Sequence, residues 1–275
     1  MISNIKPINN EITQNVMDLL KQNSLPTDEY IVQKIIYKTK MNLGNTHPLY
    51  EKLPYYWYYY GPFSETIRNS YNDIKNKKAK INTNILKKYP ETTENITKII
   101  SKGDYVKSAL CEDIYRENAP LDIMHTFKYK IFNPTQNEVF IGNSDEYVTC
   151  LHDCSIDFPE NSFFQDFTEV FSLFSMQLSL LNSDNLIAKE WEMIRKPIQN
   201  LWFTFAEGIR CQAHDNYYTD CYDNWNLIFN QSVEKLESEI WKFIDKTDSL
   251  LDLSKPVEID EKGEKFLNTM ITAYL

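Results

Sequence analysis

The stretch over residues 53–64, LPYYWYYYGPFS, constrains this chain more than any other. Six consecutive aromatic side chains, Tyr55, Tyr56, Trp57, Tyr58, Tyr59 and Tyr60, follow Pro54 and run into Gly61-Pro62. Proline lacks an N–H and fixes φ, so helix is interrupted at both ends of the block. Two local structures fit. Aromatics favour the pleated surface of a strand, and a final helical turn ending at the Gly-Pro break fits as well. In a strand, Tyr56, Tyr58 and Tyr60 share one face while Tyr55, Trp57 and Tyr59 share the other. One face packs a core; a face left outside makes a protein-binding hot spot. The block contains no acid, base, thiol or phosphate cradle, so it reads as a device for packing and recognition.

Around this block the pattern is helical. Ile12, Val16, Leu19 and Leu20 predict a helix over residues 10–23. Thr27 is expected to cap a second, with Ile31, Val32, Ile35, Ile36 and Thr39 inward. Ser64 is expected to cap a third over residues 65–76. Ile81 and Ile85 suit a short hairpin or loop; a helix over 91–100 closes at Gly103, and Asp104 caps the next. Residues 121–132 read as helix. Residues 133–146 read as loop with a short strand at 139–141.

Asp157, Pro159 and Glu160 resemble a capping box, followed by Phe163, Phe167, Val170, Phe171, Phe174, Leu178 and Leu181 at core-face spacing. Long helices are expected from 184 past 210, with Pro197 inside, and over 221–246; a short one closes the tail over 260–274. Three long helices with short connections predict an antiparallel bundle.

The chain has only 6 glycines, which argues against Gly-rich nucleotide loops and turn-dense all-β folds. Its first residues lack an apolar leader, and no apolar run reaches membrane-spanning length, so a cytoplasmic protein without a membrane partner is expected. Five cysteines, an odd number in a large chain, suit reduced thiols. Charge divides the chain. Residues 1–110 carry 16 Lys and Arg against 10 Asp and Glu; residues 111–275 carry 13 against 29. We read a basic region, 1–110, and an acidic region, 111–275.

The residues offer three kinds of chemistry. Arg68 on the third helix and Lys75, Lys77, Lys78 and Lys80 at its end attract phosphate regardless of sequence, and a helix entering a groove reads bases. The same lysines also complement the helix dipole. Cys150, His152 and Cys154, with Cys211 and His214, offer zinc-ligand chemistry, although Cys-x-His-x-Cys is not a usual structural spacing. The acids Glu190, Glu192 and Glu207 on one long helix read as a solvated face. No nucleophile elbow, P-loop or dinucleotide fingerprint is present.

Residues 28–80, through Ile35-Ile36-Tyr37 and then LPYYWYYYGPFSE, resemble the aromatic–Gly-Pro–hydrophobic-Ser signature of Panacea/SocA-like domains and related archaeal proteins with winged-helix-like amino termini. That resemblance implies a regulatory, antitoxin-like or interaction protein.

The expectation is a mainly α protein. An N-terminal helix-turn-helix or winged-helix-like region packs on a C-terminal antiparallel helical bundle. Its function is regulatory and non-enzymatic. Tyr55, Trp57, Tyr59, Ser64, Arg68 and the lysine cluster contact DNA or a protein partner. The acidic bundle forms a homodimer, binds a partner or shields the basic region. The alternative is a metal-binding protein or enzyme using the Cys/His residues with zinc.

Overall fold

A computed structural model of the chain describes residues 5–81, 84–136, 144–156, 158, 161–180 and 188–248. The fold is mainly helical. It divides into two compact units, Met1–Pro120 with Ile209–Asp223, and Leu121–Gly208 with Asn224–Leu275. This differs from the charge boundary at residue 110. The first unit extends to Pro120 and takes back a piece of the distant C-terminal half.

In the first unit, α1 (Ile5–Gln22) packs on α2 (Glu29–Leu43). The cap of α2 is Asp28, whose carboxylate accepts the Ile31 N–H at 3.0 Å, rather than Thr27. A carboxylate at this position both caps the turn and meets the positive end of the dipole. The Thr27 carbonyl accepts the Tyr71 hydroxyl at 2.9 Å instead. Helix α2 is buried nearly all round, with Gln33, Lys34 and Lys40 inside along with its aliphatics.

The aromatic block is a hairpin. Strands β1 (Tyr56–Tyr58) and β2 (Gly61–Phe63) pair antiparallel, Tyr56 opposite Phe63 and Tyr58 opposite Gly61. Tyr59 and Tyr60 form the two-residue turn, and Gly61 takes φ +85°, which disfavours any side chain. Ser64 then caps α3 (Glu65–Lys75), accepting the Ile67 N–H at 3.4 Å. Helix α3 lies against α1.

Beyond α3, residues 85–88 form a short helix, α4 (Ile85–Lys88), where the sequence pattern read hairpin or loop. The buried Glu11 carboxylate of α1 accepts the Ile85 and Leu86 N–H groups at 3.1 and 2.9 Å, a cap supplied from 74 positions away. Helices α5 (Pro90–Ile100), α6 (Asp104–Ser108) and α7 (Leu110–Asn118) complete this run. Gly103, at φ +58°, stands in the cap position of α6, and Asp104 sits inside the first turn, paired to Lys107 at 3.2 Å.

In the second unit, α8 (Ile123–Thr126) passes through π-helical turns at Phe127–Phe132 into α9 (Asn133–Gln136). Helix therefore continues four residues into the expected loop. The strand expected at 139–141 lies outside the described residues. Next come α10 (Ser144–Ile156) and a 3-10 turn, Ser162–Phe164, that Asn161 caps through the Phe163 N–H at 2.9 Å. Helix α11 (Gln165–Leu180) follows. The expected caps Asp157 and Glu160, Leu181 and the 260–274 tail also lie outside the described residues.

Phe167, Val170, Phe171, Phe174 and Leu178 are buried, as their spacing predicts. Helices α12 (Ala188–Gln212), with Pro197 inside, and α13 (Tyr222–Thr247) complete the unit, except for residues 209–212 and 222–223, which belong to the first. Its core is phenylalanine-rich: Phe205 meets Phe127, Phe158, Phe164 and Phe167 at ring separations of 4.9–5.8 Å. Among the described residues no helix is long and apolar enough to cross a membrane.

Candidate functional site

Helix α2 holds the hairpin through polar side chains. The Gln33 amide accepts the Ser64 N–H and donates to the Ser64 carbonyl, both at 3.0 Å. The Lys34 amine donates to the Pro62 carbonyl at 2.9 Å and the Lys40 amine to the Leu53 carbonyl at 2.9 Å. The Tyr55 hydroxyl donates to the Gln33 carbonyl at 3.0 Å. Together these contacts fix both ends of the aromatic block and the serine that starts α3. Burial depresses the Lys34 amine to about 8. It lowers Lys40 as well, with the Asp215 carboxylate partly opposing the shift.

The outer edge of β1 is covered by residues 213–215. The Trp57 N–H donates to the Ala213 carbonyl at 3.0 Å, the Asp215 N–H donates to the Tyr55 carbonyl at 2.9 Å, and Tyr56 bridges His214. The Asp215 carboxylate accepts the Tyr55 N–H at 2.6 Å and pairs with Lys40. Tyr218 packs edge-on against Tyr56 at 4.9 Å, and its hydroxyl accepts the Glu65 N–H at 3.2 Å. The Arg210 guanidinium lies 4.7 Å over the Tyr58 ring. This returning segment thus closes a strand edge and helps satisfy the first turn of α3.

The structure sorts the nine candidate contact residues by depth. Tyr55, Trp57 and Ser64 are buried. Trp57 meets Tyr37 and Tyr115 edge-on at 6.0 and 5.1 Å, and Ser64 is occupied in capping. These three shape the site from inside. Tyr59 is half-buried and stacks on Tyr58 at 3.8 Å, while Tyr60 is 57% exposed at the turn.

Arg68, Lys75, Lys77, Lys78 and Lys80 are all exposed, as are Lys87 and Lys88. Arg68 pairs with Glu29 at 2.8 Å and covers the Phe63 ring. Asn69, Asn72 and Asn76 share the exposed face of α3 with them. Between Glu65 and Glu91 stand seven basic residues and a single acid, Asp73, which Lys6 pairs at 2.8 Å.

The charge contrast is sharper along this segment than between the units. The first unit carries 18 Lys and Arg against 16 Asp and Glu, the second 11 against 23.

Cys150, His152 and Cys154 lie on α10 in the second unit. Cys211 and His214 lie at and beyond the end of α12 in the first. Among the described residues, no three His, Cys, Asp or Glu side chains converge as a metal-ligand set.

Sequence reasoning missed Gln33, Lys34, Lys40, Asp215 and Tyr218. The available signal was α2 itself, whose apolar residues leave no polar stripe wide enough for Lys34 and Lys40 to reach water. Compared with protein-family models, curated proteins and solved structures, the chain gives no match.

Proposed function

We propose that this chain is a cytoplasmic, non-enzymatic regulatory protein. Its first unit grips nucleic acid through α3 and the lysines that follow, in a helix-turn-helix or winged-helix-like manner with the aromatic hairpin as the wing. The observation that carries this reading is the segment between Glu65 and Glu91, with seven exposed Lys and Arg and its one acid already paired.

Lysines supply phosphate attraction, and each one that neutralises a phosphate releases counterions on binding. The solvent face of α3 adds Arg68, Asn69 and Asn72, the residue types whose forked donors and acceptors fit guanine and adenine edges. The staples from α2 and from residues 213–218 hold this helix on a rigid base, so its side chains reach a groove already positioned. The likeness of residues 28–80 to Panacea/SocA-like domains supports the same class. The second unit is strongly acidic, and dimerisation or a protein partner is its expected role.

The test is fluorescence anisotropy of labelled duplex DNA with the full chain across a salt series. Binding should weaken steeply with salt. Replacing Lys75, Lys77, Lys78 and Lys80 with Ala should weaken it further and reduce the log–log salt slope by about one unit per phosphate-contacting lysine. No binding by the unaltered chain at low salt would discard the nucleic-acid reading and leave a protein-docking surface.

A further inference from the structure

Helices α1, α4 and α5 of the first unit border a cavity of about 790 Å³. A volume of that order accepts a small organic molecule. Its α1 wall is polar, where a helix packed on its neighbours would turn an apolar stripe inward. Glu11, Gln14, Asn15 and Asp18 follow at i, i+3, i+4 and i+7, so they form one line along that helix. Across from them stand Ile81, Leu86 and Pro90.

Two groups in the polar wall lack the partner that their chemistry asks for. Glu11 is only 4% exposed. Its carboxylate accepts the Ile85 and Leu86 N–H groups at 3.1 and 2.9 Å but pairs with no cation among the described residues. A buried carboxylate held without a counter-charge opposes folding. The Asn15 side-chain oxygen, one turn on, is buried and accepts no hydrogen bond from any described residue. An orphaned buried acceptor opposes folding as well. Asp18, at the next turn, accepts the Gln14 amide at 2.8 Å and has Lys21 only at 3.9 Å. This wall is rich in acceptors and short of positively charged donors.

The rim is balanced in charge. Lys87 and Lys98 are exposed there, and so is Glu94. The two lysines offset the two carboxylates of Asp18 and Glu94, and the charge of Glu11 is what remains.

We propose that this cavity binds a small organic monocation, a primary ammonium on an apolar body. An ammonium carries three donors and no acceptor. One such group can serve Glu11 and Asn15 together, since they are neighbours on one helix face, while its apolar body lies along Ile81, Leu86 and Pro90. A neutral isostere leaves the Glu11 charge unopposed, and an anion is repelled by it. The site uses no residue of α3, so it stands independently of the nucleic-acid reading.

The experiment titrates the nitrogen-15-labelled full chain with 2-phenylethylamine near neutral pH, in about 0.15 M salt to screen diffuse attraction to an acidic protein. Backbone amide shifts should saturate and concentrate at the cavity, around Asn15, Leu86 and Thr93. The neutral 2-phenylethanol and the anionic 3-phenylpropionate should each bind at least about tenfold more weakly. Asn15→Leu should weaken the amine about tenfold. Because the Asn15 oxygen has no partner within the described fold, the same substitution should leave the thermal midpoint unchanged or higher, which separates a lost ligand contact from a lost fold.

Glu11→Gln should abolish the preference for the amine over the alcohol. It also touches the cap of α4, so Asn15→Leu carries the test if that chain fails to fold. A capped Ala-Lys-Ala peptide separates a free amine from a lysine side chain of another protein, and it should bind more weakly than 2-phenylethylamine. Binding by the peptide as tight as by the amine overturns the assignment to a small molecule. No saturable binding, equal binding of amine and alcohol, shifts spread over the acidic second unit, or an unchanged affinity in Asn15→Leu each overturns the site.

Discussion

Lys40 and Asp215 stand 175 positions apart and share one ion pair, with the lysine side chain only 2% exposed. The same carboxylate accepts the Tyr55 N–H, so a single acid from the far end of the chain neutralises a buried cation and fixes the start of the aromatic hairpin.

Asp215→Asn tests this pair directly. The amide oxygen can still accept the Tyr55 N–H, so the change isolates the charge. Leaving a buried ammonium unpaired should cost about 3 kcal/mol, whereas Lys40→Met with Asp215→Asn together should recover most of that loss. Urea unfolding of the two single variants and the double variant measures it. Simple additivity of the singles would show that the two residues act separately.

Lys34 sets a pH dependence of the opposite sense to a stabilising lysine pair. Its folded value, about 8, lies below the ordinary 10.5. Between those values the unfolded chain holds a proton that the folded chain has released. The Lys34 contribution to stability therefore rises with pH across this window and is lost as pH falls through about 8. The depression corresponds to about 3 kcal/mol. The difference in unfolding free energy between the unaltered chain and Lys34→Met, measured from pH 7 to 10.5, should change in that direction. A flat difference would place the amine in water.

Gly208 sits inside α12, where Ala is the better helix former by about 1 kcal/mol. A Cβ there would lie 2.5 Å from the Phe164 ring and 2.8 Å from the Phe229 ring. Overpacking of that kind costs about 1–3 kcal/mol, and both rings are buried and held by other phenylalanines, so the clash wins. Gly208→Ala should lower the thermal midpoint, and a rise would mean that the rings yield.

These residues also mark what the sequence could reveal. Short-range chemistry was readable: the Ser64 cap and the Phe167–Phe171–Phe174–Leu178 face each follow from neighbours within one or two turns. The turn expected at Gly61-Pro62 falls two residues earlier, at Tyr59-Tyr60, because Gly61 and Pro62 pair with Tyr58 and Trp57 in the hairpin. The exposed set of Arg68, Lys75, Lys77, Lys78 and Lys80 was readable too, because a charge run after a helix has no apolar surface to hide against. Thr27 and Asp28 are both good caps, and the choice fell to a tertiary contact, the Tyr71 hydroxyl on the Thr27 carbonyl. Lys40 with Asp215, and Glu11 with the Ile85 and Leu86 N–H groups, were beyond reach. Each joins residues whose approach is decided by the whole fold. The same limit hid the return of residues 209–223 to the first unit.

That return has a consequence at the ribosome. The first 120 residues leave the exit tunnel with the outer edge of β1 open and Lys40 facing no counter-charge. They wait until Asp215 has been synthesised, roughly 5–20 s later at ordinary elongation rates. During that interval the nascent chain displays an aromatic strand edge ready to pair with any other. The N-terminal unit is thus the first to be made and, in its complete form, among the last to close.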